Sequence, residues 1–403
     1  MKNVYQQREE NNAAANEQWF AEMQARPYEW KVRHAEEVAK SYYEKVTQEY
    51  HGLPYLSVGG LDSQVLHYFF EEIGLPVTCV SCSSLEDKSI QDAHRRIADE
   101  MERTYDAAEW YHRRGVLTPR EVEALANDEE DYSREQALLA ECLPPPRFIF
   151  LHPLKSKVEV LQEYGWPILS KEKAQKISHL QHPTAKNATV RHAIITGETG
   201  AYGGYRTNSR MQLPQKWLDL FGGADEEGAA LGYKAAPFQV SDKCCYYLKE
   251  KPCNDWAKKN KGYPYMGLMA SEGGRREKRL KAHLCNYFGK TVRSAPFAIF
   301  SRQDLLRLAL DLRVPVPEVY GVIERLPDGS LYTTKAQRTG CTMCGFGIHL
   351  EQRPHRFDRL LAKNPKEWEF WMFRCCTDES GEKYGWGRVL DYCGIPWRQE
   401  ATP

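Results

Sequence analysis

The chain has no excess charge of either sign: Lys+Arg and Asp+Glu both number 55 in 403 residues, giving a formal net charge of zero. This excludes a molecule-wide basic field that would steer the protein towards nucleic acid, and leaves only local patches for that role. No run of about 18 apolar residues occurs, so no membrane-spanning helix is expected. Residues Met1 to Arg33 are polar, rich in Gln, Glu and Asn, and lack the apolar stretch of a secretory signal. The expectation is therefore a cytoplasmic protein with no membrane partner. There is no internal repeat.

What is present is cysteine. Twelve cysteines in a chain without a signal point to a reducing compartment, where clustered thiols serve metals or redox chemistry more often than structural disulfides. Four stand in two close pairs: Cys244-Cys245, and Cys341 with Cys344 in Gly340-Cys341-Thr342-Met343-Cys344-Gly345. With 95 residues between the pairs, this is no local zinc knuckle. Thiolates are soft ligands suited to an iron–sulfur cluster or to zinc. Cys253 and Cys285 are near enough in sequence to line such a site. Cys375-Cys376, Cys79, Cys82, Cys142 and Cys393 read as core or loop thiols.

Along the chain, residues 5–50 have loose helical spacing, with Trp19, Phe20, Met23, Trp30, Val38 and Tyr42 as the apolar positions. Then Leu53–Val58 reads as a strand, Gly59-Gly60 as a turn, Gln64–Phe70 as helix, Val77–Cys82 as a strand, and a further helix begins near Asp87. This is a βαβ opening, which predicts a parallel sheet. Residues 99–145 are acidic, with Asn127–Asp131 and then Pro144-Pro145-Pro146, and read as an insertion outside the core. Strand pattern resumes at Arg147–Leu151 and helix at Lys157–Tyr164. Residues 185–232 read as loop-rich, Met266–Ala270 as a strand, Arg302–Leu312 as a helix, and 345–400 as aromatic-rich helices. The fold class expected is α/β, a mostly parallel central sheet with flanking helices.

The turn Ser57-Val58-Gly59-Gly60-Leu61-Asp62-Ser63 joins strand to helix. Glycines there admit a phosphate close to the backbone, and a helix N-terminus offers free N–H donors. Ser63 adds a hydroxyl, and Asp62 a carboxylate for a magnesium ion accompanying phosphates. The plainer reading is a tight turn with Asp62 and Ser63 capping the helix. No Gly-Lys-Ser/Thr follows, so it is not a Walker A loop.

This segment resembles the PP-loop of N-type ATP pyrophosphatases, Ser-Gly-Gly-x-Asp-Ser, at Gly59, Gly60, Asp62 and Ser63. Val58 replaces the first Ser, with Ser57 one position early, and Leu61 stands where Lys is common. The pattern Cys-Cys then Cys-x-x-Cys resembles the cluster signature of adenylylsulfate reductases. From about residue 50 to 395 the chain is similar to the phosphoadenosine-phosphosulfate reductase-like family. His152–Lys157 with Gly165–Glu172 resembles its substrate-side segment, and Gly267–Arg276 its Gly-x-x-Ala-x-Glu-Ser-x-x-Arg element, with Gly273 in place of Ser. The resemblance implies an adenine nucleotide α-hydrolase-like fold. It implies a [4Fe–4S] cluster on Cys244, Cys245, Cys341 and Cys344. It also implies an ATP site with Mg2+ that uses Ser57, Gly59, Gly60, Asp62, Ser63, Lys171 and Arg276, of which Asp62 and Arg276 are the catalytic candidates.

The organisation expected is a helical segment at 1–50, a nucleotide-binding α/β domain at 51–300, and a helical cluster-binding portion at 301–403 packed on the same domain. Lys157 and Arg302 are further oxyanion candidates, and His152 and His349 proton-transfer candidates. The C-terminus lacks the Glu-Cys-Gly-type segment that supplies the attacking thiol in sulfonucleotide reductases; Cys393 is the nearest thiol. The leading expectation is therefore an ATP-dependent enzyme that releases AMP and pyrophosphate to activate an acceptor for sulfur transfer. A nucleic acid is one acceptor and a sulfur-donor protein one partner. A homo-oligomer stays open, as do two alternatives: a sulfonucleotide reductase using another thiol, and a non-catalytic nucleotide- or partner-binding protein. The run Arg275–Lys281 (RREKRLK) is either a local basic groove or a solvated helix face.

Overall fold

Alternating β-formers and a Gly-Gly turn start the sheet where the sequence reading puts it. The computed structural model describes residues 15–82, 85–106, 109–110, 143–201, 204–206 and 210–398. It contains a six-stranded sheet of β1 (Leu53–Ser57), β2 (Thr78–Cys82), β3 (Phe148–Leu151), β4 (Gly262–Met266), β5 (Asn286–Tyr287) and β6 (Arg293–Ser294). Their spatial order is β3-β2-β1-β4-β6-β5, and every pairing is parallel except the β5–β6 hairpin at one edge. The molecule is thus α/β, with a mostly parallel sheet flanked by helices. Among the described residues no helix is long and apolar enough to cross a membrane.

The chain divides into two compact units interleaved in sequence: residues 1–152 with 252–340, and 153–251 with 341–403. The first holds the sheet with α1 (Tyr28–Gln48), α2 (Leu61–Glu72), α3 (Lys88–Thr104), α4 (Gly274–His283) and α5 (Arg302–Asp311). α2 is apolar around most of its circumference, and its buried Leu61, Val65, Leu66, Phe69 and Phe70 place it in the core. Phe70 packs edge-on to Tyr265 of β4 with ring centroids 4.8 Å apart, and Phe69 meets Phe297 at 5.5 Å. Each such ring, fully buried, contributes about 1.5–3 kcal/mol.

The second unit has little sheet. Its core is aromatic, with Trp166 against Trp386 (4.8 Å) and Trp386 against Phe357 (5.3 Å). Two isolated parallel bridges, Trp166↔Val240 and Leu169↔Phe346, tie three distant segments together. Helices Lys157–Tyr164 and Lys171–Gln181 each begin at a serine N-cap, Ser156 and Ser170, whose side chain accepts a backbone N–H.

Three expectations are corrected. The helix read across 5–50 is broken at Arg26-Pro27 into a stretch at 15–24 and α1, because Pro27 cannot continue a helix; residues 5–14 lie outside the described residues. The strand read at Met266–Ala270 is Gly262–Met266, followed by a 3-10 turn at Ala270–Glu272. Tyr263 and Tyr265 supply its β preference, while Pro264 masks it. The loop-rich reading of 185–232 gives way to helices Ala188–Thr196 and Gln215–Phe221. The acidic insertion begins inside α3, and most of it lies outside the described residues.

Candidate functional site

In the first unit, β1 delivers the chain into Gly59-Gly60, and α2 starts at Leu61 with Gly60 as an extended cap that supplies no side-chain bond. The turn is held from both sides. The Gly59 N–H donates to Ser63 Oγ at 2.7 Å, and that hydroxyl donates to Gly60 O at 2.9 Å. Gln64 Nε2 donates to Gly59 O at 3.2 Å. His94, buried on α3, reaches the same carbonyl with Nε2 at 2.8 Å. A carbonyl only accepts, so Nε2 carries the proton; Ser81 Oγ lies 3.3 Å from Nδ1.

Tyr320 occupies the first helical amide: its buried hydroxyl accepts from Leu61 N at 3.0 Å and bonds Thr339 Oγ1 at 2.8 Å. That approach requires glycine at position 60, where a Cβ would stand 2.6 Å from the Tyr320 hydroxyl. The next two amides, Asp62 and Ser63, donate to no acceptor among the described residues. They are the free donors that a helix N-terminus presents to an anion.

Asp62 stands at this opening. Its carboxylate pairs with Arg302 at 2.7 Å, and 29 % of its side chain stays exposed. Burial raises its pKa from the ordinary aspartate value; Arg302, Arg276 and Arg338 oppose that shift and Glu272 adds to it. Arg276, on α4, is itself paired to Glu272 of the 3-10 turn that precedes the helix. Among the sequence candidates, Gly59, Gly60, Asp62, Ser63, Arg276 and Arg302 thus converge. Ser57 ends β1, paired on both sides to Val80 and Met266.

The four paired cysteines all belong to the second unit. Cys244 and Cys245 open a helix that continues through a five-residue π-helical turn, Tyr246–Glu250. Such turns are rare and concentrate at functional sites. Cys341–Cys344 is a tight turn closed by Cys344 N–H to Cys341 O at 3.1 Å, with Met343 at φ +56°. A buried methionine in that left-handed region is strained.

Segment 166–169 brings the pairs together. Trp166 N–H donates to Gln239 O at 2.8 Å and Ser241 N–H to Trp166 O at 3.1 Å; Leu169 O accepts from Gly347 N–H. Gly345 is required in that junction, since a Cβ there would lie 2.3 Å from the Trp386 ring and 2.7 Å from Pro167 O. Gly345→Ala is expected to lower stability by about 1–3 kcal/mol, read from urea denaturation with the denaturant slope unchanged; a change below about 0.5 kcal/mol would show that the junction yields freely.

Two lysines attend the thiols. Lys157 is buried, donates to Thr342 O and to Met343 O (2.9 Å), and lies 5.2 Å from the centroid of the Trp371 ring. Burial pushes the Cys244 thiol up to about 12, Lys157 opposes this, and Cys245, Cys341 and Cys344 add to it. Burial likewise raises the Cys245 thiol, and Lys171, whose ammonium donates to Glu250 at 3.3 Å, opposes this. Burial disfavours the Lys171 charge, yet Cys245 and Glu250 leave its pKa above the ordinary lysine value. Arg356 Nη1 donates to Cys344 O at 3.2 Å.

Among the described residues no group of three or more His, Cys, Asp or Glu side chains is arranged to hold a metal ion. The case for a centre is the donor set itself: four thiols in two close pairs, of which Cys244 and Cys245 are costly to ionise in their buried setting and have Lys157 and Lys171 beside them. Thiolate ligands of a cluster carry that charge pattern.

No family model, curated protein or solved structure matches the chain.

The other candidates fall elsewhere. His152 is exposed. His349 packs edge-on against Trp217 at 5.9 Å, and neither ring nitrogen has a partner among the described residues; burial and then Lys173 and Lys216 hold its pKa low. Cys253 and Cys285 belong to the first unit. Cys375 donates to Trp371 O at 3.4 Å, and its hydrogen bond with the buried neighbour Cys376 raises its pKa. Cys393 is buried, and its thiol is pushed up to about 12, far from a thiolate at neutral pH. His94, Tyr320, Thr339 and Arg338 are the loop partners that the sequence reading missed. Only His94 left a trace, as the polar member of an apolar stripe with Ile90, Ala93, Ile97 and Met101.

Proposed function

We propose that the chain is an ATP-dependent enzyme of the PP-loop class, on an adenine nucleotide α-hydrolase-like fold, that also carries a [4Fe–4S] cluster. The observation that supports it most is the pair of free amides at Asp62 and Ser63 at the helix start, together with the charges of Arg302, Arg276 and Arg338 that act on the Asp62 carboxylate. Backbone donors and arginines together suit a triphosphate, and Asp62 suits its magnesium ion.

In this reading an acceptor oxygen attacks the α-phosphorus of ATP. The bond from that phosphorus to the oxygen bridging to the β-phosphate breaks, and pyrophosphate leaves with the electron pair. The amides of Asp62 and Ser63 bind phosphate oxygens, and Arg302 and Arg276 offset the charge that builds up on the leaving group. A sulfur nucleophile from a donor protein then displaces AMP from the acceptor. Cys244, Cys245, Cys341 and Cys344 would hold the cluster, with Lys157 and Lys171 balancing its charge. A cluster bound there supplies electron-transfer chemistry at a potential set by the charges and hydrogen bonds around its sulfurs.

The test is titration calorimetry of MgATP on anaerobically purified protein, followed by a pyrophosphate-release assay with candidate acceptors. Binding with release of pyrophosphate is expected. No binding would overturn the reading; binding without release from any acceptor would favour a non-catalytic nucleotide-binding protein. The buried, protonated Cys393 speaks against the sulfonucleotide reductase alternative, at least through an internal thiol.

A further inference from the structure

We propose that the C-terminal half of α4 and the β5–β6 hairpin form a docking surface for the phosphodiester backbone of a nucleic acid. On α4, Arg276, Arg279 and His283 recur at i, i+3 and i+7 and so lie along one side of the helix. At 1.5 Å per residue they span about 10 Å, from the neighbourhood of Asp62 to the sheet edge. There the hairpin adds Tyr287, Lys290 and Arg293. The His283 and Tyr287 rings lie 4.1 Å apart, and the Arg293 guanidinium is 5.4 Å from the centroid of the same tyrosine.

The positive groups here crowd one another. Burial and then Arg279 hold the Arg293 pKa below its usual value; burial, Arg293 and Arg279 do the same to His283. Among the described residues Lys278, Arg279, Lys290 and Arg293 make no ion pair, whereas Lys281 on the same helix pairs with Glu277 and Glu17, and Arg276 with Glu272. Acids therefore neutralise Arg276 and Lys281, and among the described residues leave Lys278 and Arg279 of α4 and Lys290 and Arg293 of the hairpin without an ion pair. In a chain of zero net charge, such self-repulsion is relieved by a polyanion. Arginines around a partly exposed tyrosine suit backbone phosphates with a ring for a base or sugar. The zero net charge argues for a local footprint, not for general nucleic-acid affinity.

This inference deepens the proposed function by naming the acceptor class, but its test needs no ATP chemistry, so either can fail without the other. The full chain is titrated onto fluorescein-labelled duplex DNA and onto duplex RNA of the same sequence, without nucleotide, across a salt series. Fluorescence anisotropy is expected to show binding that weakens with salt. Arg279→Gln with Arg293→Gln is expected to cut affinity at least about tenfold and flatten the log–log salt slope by about two units, one per lost phosphate contact. Lys258→Gln with Lys259→Gln, exposed on another helix, carries the same charge change and is expected to leave both unchanged. Equal melting temperatures for the variants keep folding out of the comparison. Binding to either duplex supports the surface, and the tighter of the two identifies the acceptor. No salt-dependent binding, or equal losses in both double variants, would overturn it.

Discussion

Asp62→Asn is expected to lower pyrophosphate release from MgATP by at least about a hundredfold, and to leave the melting temperature at pH 7 equal to or above that of the unaltered chain. The first effect follows from removing the Asp62 carboxylate at the phosphate opening, which in this reading holds the magnesium ion; loss of one such electrostatic contact costs about 10²–10³ in rate. The second follows from its pKa. Burial raises it despite Arg302, so the folded state holds the proton more tightly than the unfolded chain does. The stability due to Asp62 is fully present below its unfolded value and falls as pH rises through the folded one. At pH 7 the charged Asp62 is a net cost that asparagine removes. The unaltered chain should therefore lose stability relative to the variant as pH climbs through and above the carboxylate range. Thermal melts of both proteins from pH 4 to pH 8 check this; a variant less stable at pH 7 would show that the Arg302 pair outweighs burial. Stability and activity moving in opposite directions would mark a group kept for function.

Cys244→Ser, purified anaerobically, is expected to lose most of its iron, its acid-labile sulfide and its visible absorption, and Cys341→Ser likewise. Cys285→Ser, which changes an equally buried thiol of the first unit, is expected to keep all three. Serine is a poor ligand for soft iron–sulfur centres, and removing one donor leaves Lys157 facing a smaller negative charge. Apart from metal, the buried Cys244 thiol has a raised pKa, so it should resist alkylation at neutral pH in iron-free protein and gain reactivity only well above it. Iron-free protein that instead binds one zinc per chain would replace the cluster with a zinc site.

The parts of this molecule legible in its sequence are those fixed by short-range rules. Helix Lys157–Tyr164 falls where it was read because Ser156 and Glu159 form a capping box before an apolar pattern. β1, β2 and β3 are within a residue of expectation because each is a short apolar run between turn signals. β4 was displaced because Pro264 usually argues against an inner strand, and pairing with its parallel neighbours β1 and β6 overrides that. At the phosphate loop, Gly59, Gly60, Asp62 and Ser63 were readable as a local motif. Tyr320 and His94, which hold the loop's backbone, were not, for their contacts cross 259 and 35 positions of chain. The four cysteines were readable by type. The segment that gathers them, Trp166–Leu169, was not, since isolated bridges leave no periodic pattern.

That bridging segment also orders events in time. Trp166 and Leu169 leave the ribosome long before Val240, and Phe346 later still, so on a nascent chain the junction stays open until nearly the whole polypeptide is made. Until then Cys244 and Cys245 have neither their partner thiols nor the Met343 carbonyl that anchors Lys157. Chain closure over such distances is slow and is achieved late in folding. A truncation before residue 341 would therefore leave Cys244 and Cys245 without their partner thiols, and in the proposed reading a cluster could assemble there only after the chain has been made past Phe346.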